Sequence, residues 1–174
     1  AHMPMGQLEW AAAMPTLVEL IFDNAQVTNL APLAQLPALR ILSAGGNPIA
    51  DFSPLAQMVV LEEAKLPNTG LEDLSVFATM YQLRVLIASG NHITDVSPLE
   101  WLTCLQTLVL DDSPVTNLFR LAELKDLQYV SLARTGARDL AWMIGLTNIT
   151  KLFLHENQIT DAAPLAGLGG LLEL

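Results

Sequence analysis

The sequence repeats with a period of 22 residues along almost its whole length. With Leu17 taken as position 1 of the first repeat, positions 1, 4 and 6 are apolar in all seven complete repeats. Position 1 is occupied by Leu17, Leu39, Leu61, Leu83, Leu105, Leu127, Ile149 and, at the start of an eighth repeat, Leu171. Position 4 is occupied by Leu20, Leu42, Ala64, Leu86, Leu108, Val130 and Leu152. Such a pattern indicates a repeat architecture, in which each unit buries its apolar face by stacking on its neighbours.

Each repeat contains one candidate strand. Positions 4 and 6 are apolar and alternate with polar or variable residues at positions 3 and 5, which is the period of a half-buried strand. A short strand that returns every 22 residues must stack in parallel on the next one. We therefore predict seven parallel strands, each within two residues of the ranges 19–21, 41–43, 63–65, 85–87, 107–109, 129–131 and 151–153.

The segment that returns the chain to the next strand is short. Its apolar residues at positions 17 and 20 are three apart, which fits one helical turn with a single buried face. The connection is too short for a full α-helix, so we expect mostly 3₁₀ turns. The predicted fold class is an α/β repeat solenoid that is curved, with short parallel strands on its concave face and 3₁₀ turns on its convex face.

Polar residues and prolines mark where each turn should begin. Proline occupies position 16 in four repeats, and Ser53 and Ser97 precede two of these prolines. Serine as the N-cap, with proline as the first helical residue, predicts the start of the turn at these points. Position 13 is always Asp or Asn, and such side chains accept backbone N–H groups where a chain bends. We expect them to cap their turns rather than to bind a divalent cation, because Asn29 and Asn117 lack the charge.

The segment Leu83–Leu99, which reads LRVLIASGNHITDVSPL, closely resembles the internalin type of leucine-rich repeat. The chain is also similar to the 22-residue repeats of a regulatory subunit of protein phosphatase 1, and the resemblance covers residues 8–174. It implies a right-handed superhelix. An internalin-like role would be that of a surface or secreted protein that binds a receptor, whereas the other resemblance implies a scaffold or a regulator of an intracellular enzyme.

In the family, an asparagine at position 9 bonds to the backbone of adjacent coils and forms a ladder. This chain has Asn47, Asn91 and Asn157 at that position, with Thr or Ser in three other repeats. A hydroxyl group can make part of the same bonding. Ala25 cannot, so the resemblance implies a weakened ladder at the first repeat.

Both ends of the sequence lie within the repeat pattern. Residues 1–7 look like a cloning remnant and the start of a fragment, and residues 8–174 form the predicted repeat domain. This domain comprises a half repeat, seven full repeats from Leu17 and a truncated eighth. Terminal repeats normally carry a polar cap, and neither end shows one. We therefore expect edge-mediated self-association through the last residues, Leu171, Leu172 and Leu174.

Charge disfavours two classes of partner. The chain has 18 acidic and 8 basic residues and a formal net charge of −10. Such a surface repels nucleic-acid phosphates and anionic membranes. No window of 18 consecutive apolar residues occurs, so membrane insertion is not expected. The single cysteine, Cys104, excludes an internal disulfide, and the cellular compartment stays open.

No catalytic, cofactor-binding or metal-binding constellation is expected. The segment that begins with His155 and Glu156 starts like a zinc-protease motif, but Ile159 stands where that motif needs its second histidine. We found no nucleophile with a matching base elsewhere, so the sequence predicts a non-enzymatic protein whose partner is another protein.

The residues free to select a partner are those at strand positions 3 and 5, which should point outward on the concave face. In repeats four to seven they become largely apolar and aromatic. The predicted partner-binding residues are Val85, Ile87, Val109, Tyr129 and Phe153, together with Arg134 between the acidic Asp112 and Glu156. Two alternatives remain open. The β-branched residues could be present only because they favour strand structure, with the charges forming a solvated ladder. The repeats could also form a structural spacer within a larger protein.

Three convex aromatic residues, Trp101, Phe119 and Trp142, also depart from the repeat columns. They could form a second patch. The favoured interpretation is that they fill space left by the small Ala137 and by missing position-16 prolines.

Overall fold

A computed structural model describes residues 7–174 and contains seven short strands that alternate with 3₁₀ helices. The strands, β1 to β7, are Glu19–Ile21, Ile41–Ser43, Glu63–Lys65, Val85–Ile87, Thr107–Val109, Tyr129–Ser131 and Lys151–Phe153. The 3₁₀ helices, η1 to η8, are Glu9–Ala13, Ala31–Gln35, Ser53–Gln57, Leu74–Phe77, Ser97–Leu99, Leu118–Glu123, Ala141–Met143 and Ala163–Gly167. The predicted strands and turns are therefore confirmed. The expected cloning remnant at Ala1 to Met3 lies outside the described residues.

All seven strands form one parallel sheet in sequence order. Each residue pairs with the residue 22 positions later, as Leu20 does with Leu42 and Leu108 does with Val130. The molecule is therefore a curved repeat solenoid. We call one 22-residue turn of it a coil, so that coil 1 is residues 17–38 and coil 7 is residues 149–170.

The central residue of every strand points into the core. Leu20, Leu42, Ala64, Leu86, Leu108, Val130 and Leu152 are each at most 5% exposed. Their strand neighbours at positions 3 and 5 point away, because successive side chains of a strand face opposite sides of the sheet. One continuous apolar core runs from Leu8 near the start to Leu168 near the end.

The convex turns are capped by the position-13 side chains. In six coils the Oδ1 atom of this Asp or Asn accepts the backbone N–H of the residue two positions later, at distances of 2.7 to 2.9 Å. The predicted serine N-caps are wrong. Ser53 and Ser97 lie inside the helices, and their hydroxyl groups donate to Asp51 and Asp95. Aspartate caps these turns because its carboxylate accepts both the N–H and the hydroxyl of the same serine.

The position-9 asparagines join neighbouring coils. Asn47 Oδ1 accepts the N–H groups of Ala25 and Val27 in coil 1, both at 3.0 Å, and its Nδ2 donates to Phe22 O and Ala44 O. Asn91 and Asn157 bond in the same way to coils 3 and 6. Each asparagine bonds to the backbone of the preceding coil. Asn47 therefore supplies the hydrogen bonds of the coil 1 backbone, although coil 1 itself has Ala25 in place of an asparagine.

Candidate functional site

The two aromatic residues predicted as binding anchors lie in contact on the concave face. Tyr129 is the first residue of β6 and Phe153 is the last residue of β7, and their ring centroids are 5.5 Å apart at an interplanar angle of 44°. Tyr129 stands directly opposite Lys151, so the aromatic contact runs diagonally across the strand pair. Both side chains are half-buried and keep part of their surface open to solvent.

The three aliphatic residues of the predicted site lie one and two strands away from the aromatic pair. Val85, Ile87 and Val109 are half-buried, and Ile87 pairs with Val109 across β4 and β5. Between Val109 and Phe153 the same row contains Ser131 on β6. Ser131 therefore divides the predicted apolar floor into an aliphatic part and an aromatic part.

Ser131 belongs to a polar motif that positions the corner after the strand. Its hydroxyl donates to Asp111 Oδ1 at 2.7 Å, and the same oxygen accepts Ala133 N–H at 2.8 Å. Coils 1 and 2 repeat this motif with Asp23, Ser43 and Gly45. The serine is therefore buried, and its hydroxyl is already bonded to a carboxylate of the previous coil. It leaves little surface for a partner to contact.

Arg134 lies just beyond β6 and joins three consecutive coils. Its Nε and Nη2 atoms donate to the two carboxylate oxygens of Asp112, at 2.5 and 2.9 Å, and its Nη1 lies 3.2 Å from Glu156 Oε1. The ring Nε2 of His155 is 3.4 Å from the same Nη1. The hydrogen bond from Arg134 holds the pKa of the Asp112 carboxyl below its ordinary value, and that bond also raises the pKa of the guanidinium.

The backbone at position 8, which contains Arg134, is left-handed in all seven coils. The φ angles are between 54° and 66° at Asn24, Gly46, Asn68, Gly90, Asp112, Arg134 and Glu156. Coils 1 to 4 use Asn and Gly, which adopt this conformation most readily. Coils 5 to 7 place charged side chains there instead, and for Arg134 and Glu156 this opposes the local backbone preference. The Asn and Gly alternation at this column was the sequence signal for the left-handed corner, and sequence reasoning missed it.

The convex aromatic residues differ in their burial. Trp142 is 5% exposed and packs in the core, as the packing interpretation requires of it. Trp101 and Phe119 are 66% and 61% exposed, so they do not fill the core. The Arg120 guanidinium lies 5.0 Å above the centre of the Phe119 ring.

Two properties of the described residues bear on other functions. Residues 7–174 contain no group of three or more His, Cys, Asp or Glu side chains placed to hold a metal ion. Within the same range, no helix has both the length and the apolar character needed to cross a membrane.

No family model and no curated protein matches the chain, whereas solved structures do. The chain is similar to an internalin (inlF) from Listeria monocytogenes, with 31% identity and a TM-score of 0.88 over 98% of this chain and 51% of the other. It therefore spans about half the length of that relative. It is equally similar to internalin C2 from the same organism, with 31% identity and a TM-score of 0.88 over 94% of this chain and 73% of the other.

A leucine-rich-repeat protein of Leptospira interrogans shares the fold, at 20% identity and a TM-score of 0.72 over 98% of this chain and 52% of that protein. The two internalins carry more weight, because sequence identity above 30% accompanies the structural match and nearly three quarters of internalin C2 is covered. The repeat period, the strand register and these structural matches all indicate the same family. The chain belongs to the internalin-like leucine-rich-repeat proteins.

Proposed function

We propose that this chain is a protein-recognition module that binds a partner protein on the concave face of coils 4 to 7. The internalin relatives support a protein-interaction repeat module in general. We choose this surface because Tyr129 and Phe153 contact each other on the outward-facing side of the sheet, with their ring centroids 5.5 Å apart. Aromatic side chains with few rotamers to freeze are enriched among the residues that dominate binding energy.

The surroundings of the aromatic pair define how a partner would be held. An apolar group of the partner packs on the two rings, and Val85, Ile87 and Val109 extend the apolar surface toward coil 4. At the polar edge of this surface, Arg134 holds the carboxylates of Asp112 and Glu156 in place. The remaining lone pairs of these carboxylates face solvent. The partner surface should therefore combine an apolar projection with hydrogen-bond donors.

The test compares variants of single concave residues. Once a partner has been captured and identified, Tyr129→Ala and Phe153→Ala should each weaken its binding by about 1–3 kcal/mol, or about 5- to 150-fold in Kd. Ile21→Ala is the matched control. Ile21 occupies the same strand position as Phe153 in coil 1 and is 60% exposed, so its loss removes apolar surface outside the proposed site.

Isothermal titration and melting curves on the same samples separate binding from folding. A well-folded Tyr129→Ala, Phe153→Ala double variant with unchanged affinity would exclude this patch and direct attention to the exposed Trp101. A module that serves only as a spacer would tolerate both changes without any loss of function.

A further inference from the structure

The convex turns of coils 1 to 3 carry no charged residue. We call positions 14–22 of these coils the neutral face, which comprises residues 30–38, 52–60 and 74–82. It contains η2, η3 and η4 together with the segments that lead from them to the next strands. The same nine positions of coil 5 hold four charged residues, Arg120, Glu123, Lys125 and Asp126. The repeat therefore accepts charges at these positions, and their absence from three consecutive coils is a property of this surface.

Large apolar side chains are exposed on the neutral face and at its border. Val59 and Tyr81 both occupy position 21, in coils 2 and 3, and are 50% and 59% exposed. Trp101, at position 19 of coil 4, is 66% exposed at the border. Because η3 contacts η4 and η4 contacts η5, these three side chains stand on adjacent coils of one surface. Contiguous exposed apolar surface usually marks a contact site.

The polar groups exposed on the neutral face are all amides or hydroxyls. Gln35, Gln57 and Gln82 provide the amides, and serine, threonine and tyrosine side chains provide the hydroxyls. An amide or a hydroxyl contains both a donor and an acceptor, so each can bond to a second group of its own kind. A surface that combines such groups with apolar side chains is complementary to a copy of itself.

The charge of the chain restricts what can cover this surface. A formal net charge of −10 opposes contact between two copies wherever their surfaces are acidic. In a contact with two-fold symmetry the same patch meets itself, so a charged patch would face a patch of the same sign. The neutral face avoids this repulsion. A charged partner, in contrast, would lose hydration on this face without gaining an ion pair.

The borders of the neutral face indicate where a second copy would lie. At one border, position 13 carries the carboxylates of Asp51 and Asp73, which would repel their counterparts in a second copy. At the other border, position 2, Arg40 and Glu62 form an ion pair, so charges of both signs are present. Position 21, with Val59 and Tyr81, lies close to this second border. A contact centred there keeps the two acidic rows apart.

The extent of the neutral face matches that of a stable contact between proteins. A standard interface covers about 800 Å² on each partner and about 20–30 residues. Nineteen residues of the neutral face are half-buried or exposed. The exposed Trp101 and Thr103 extend it into coil 4. With these two residues the surface reaches the lower end of the range for such interfaces.

We propose that two copies of this chain pair through their neutral faces, about a two-fold axis beside Val59 and Tyr81. The Tyr81 ring of each copy packs on apolar side chains of the other, and the glutamine amides bond across the contact. Each copy uses its neutral face once, so the assembly closes at two copies. The concave residues of coils 4 to 7 lie outside this contact, so the pairing does not depend on the proposed function.

Sedimentation velocity of the Leu172→Lys variant tests the pairing, because the added charge blocks further association through the C-terminal sheet edge. The expected result is one species with twice the chain mass of 18.8 kDa at micromolar concentrations. No larger species should form as the concentration rises, since the contact closes at two copies. A monomer at every concentration would overturn the proposal.

Tyr81→Glu and Thr147→Glu, each made in the Leu172→Lys background, are matched variants. Both residues are exposed at position 21 and both changes add one negative charge, but Thr147 lies in coil 6, outside the neutral face. Tyr81→Glu should raise the Kd of the dimer at least tenfold, because two like charges then meet near the axis. Thr147→Glu should leave the Kd unchanged. Equal effects of the two variants would contradict a contact through the neutral face.

Gln57→Glu provides an independent variant that adds a charge with almost no change of side-chain shape. Gln57 is exposed, so the fold should be retained, and melting curves check this. The Kd of the dimer should again rise at least tenfold. A folded Gln57→Glu variant with an unchanged Kd would exclude the amides from the contact and overturn the proposal.

Salt separates this contact from one held by ion pairs. Because the neutral face has no charge, sodium chloride should screen the repulsion between two acidic copies and lower the Kd of the dimer. A dimer that salt weakens would be held by ion pairs elsewhere on the surface, and that result would also overturn the proposal.

Discussion

Ser113 is the residue at which the ladder between coils is interrupted. Where Asn47, Asn91 and Asn157 each bond to two coils, Ser113 is fully buried and its hydroxyl has no partner among residues 7–174. Thr135, at the same position of coil 6, donates its hydroxyl to Leu132 O at 2.8 Å. Burial of an unsatisfied hydroxyl costs about 1–3 kcal/mol, so Ser113 lowers stability where Thr135 supports it.

Replacement of these hydroxyl groups should therefore have opposite effects. Ser113→Ala should raise the free energy of unfolding by about 1 kcal/mol, because the unsatisfied group is removed at little cost in volume. Thr135→Val keeps the side-chain shape but loses a bond, and should lower it by about 1 kcal/mol. Urea unfolding of both variants provides the measurement. A destabilised Ser113→Ala would show that the hydroxyl is satisfied in solution.

Adjacent residues of one strand should also differ in their energetic roles. Leu108 is fully buried at the centre of β5, and Leu108→Ala should lower the free energy of unfolding by about 2–5 kcal/mol. Val109 faces outward and is half-buried, so Val109→Ala should cost only about 1 kcal/mol. Equal losses in urea unfolding would contradict the assignment of inward and outward faces.

At the scale of the element, five of the 3₁₀ turns are capped by a carboxylate, which accepts hydrogen bonds best when it is ionised. Bonds from Ser53 lower the pKa of Asp51, and bonds from Ser75 lower that of Asp73. Bonds from Asn117 and then from Ser97 lower the pKa of Asp95. The folded pKa of each group thus lies below the ordinary value of 3.8, which is that of the unfolded chain. The unfolded state takes up protons first as the pH falls.

The stability supplied by these caps should be fully present above about pH 5 and should decline as the pH falls through 3.8 toward the folded pKa values. A variant with Asp51→Asn, Asp73→Asn and Asp95→Asn should lose less stability between pH 5 and pH 3. Asn29 shows that an amide oxygen makes the same backbone bond, at 2.9 Å. Urea unfolding of both proteins at three pH values checks this prediction. If the free energy of unfolding falls equally with pH in both, the caps are not the source of the loss of stability in acid.

Elements were easier to predict than the bonds between them. Strand positions followed from residues such as Leu86 and Leu108, because alternation and the repeat period are properties of the sequence alone. The contact of Tyr129 with Phe153 followed from the same register. Other features depend on which coil a side chain reaches, and no local pattern encodes that. The left-handed turn at Asn117 was not foreseen for this reason, and neither was the pocket that Trp142 lines between coils 5 and 6. Ser97 was misassigned as a cap because Asp95, two residues earlier in the same coil, accepts both its N–H and its hydroxyl.

At the scale of the whole molecule, each described strand and 3₁₀ helix contacts its counterparts in adjacent coils and none farther away. Stability in such a stack is approximately a sum of contributions from each coil and each junction between coils. The last junction is made by backbone bonds from Leu172 and Glu173 to Thr150 and from Leu152 to Glu173. Leu172 and Leu174 are 83% and 72% exposed beside it.

This exposed sheet edge should make the present 174-residue chain associate with itself. We expect light scattering to show a mass that rises with concentration. Leu172→Lys should suppress the rise, because a charge at an edge opposes pairing with a second chain. Leu172 is exposed, so the monomer should melt as before. A constant monomeric mass at high concentration would refute the prediction.

The identical register of all six strand pairs has a consequence for how such a protein changes its size. Duplication or loss of one 22-residue unit in the gene leaves every remaining pair aligned, since the new junction has the same strand register as the old ones. The molecule can therefore lengthen its reach in steps of one strand spacing, about 4.8 Å. Outward residues of a copied coil are then free to diverge, so a new recognition surface can evolve while the fold is inherited unchanged.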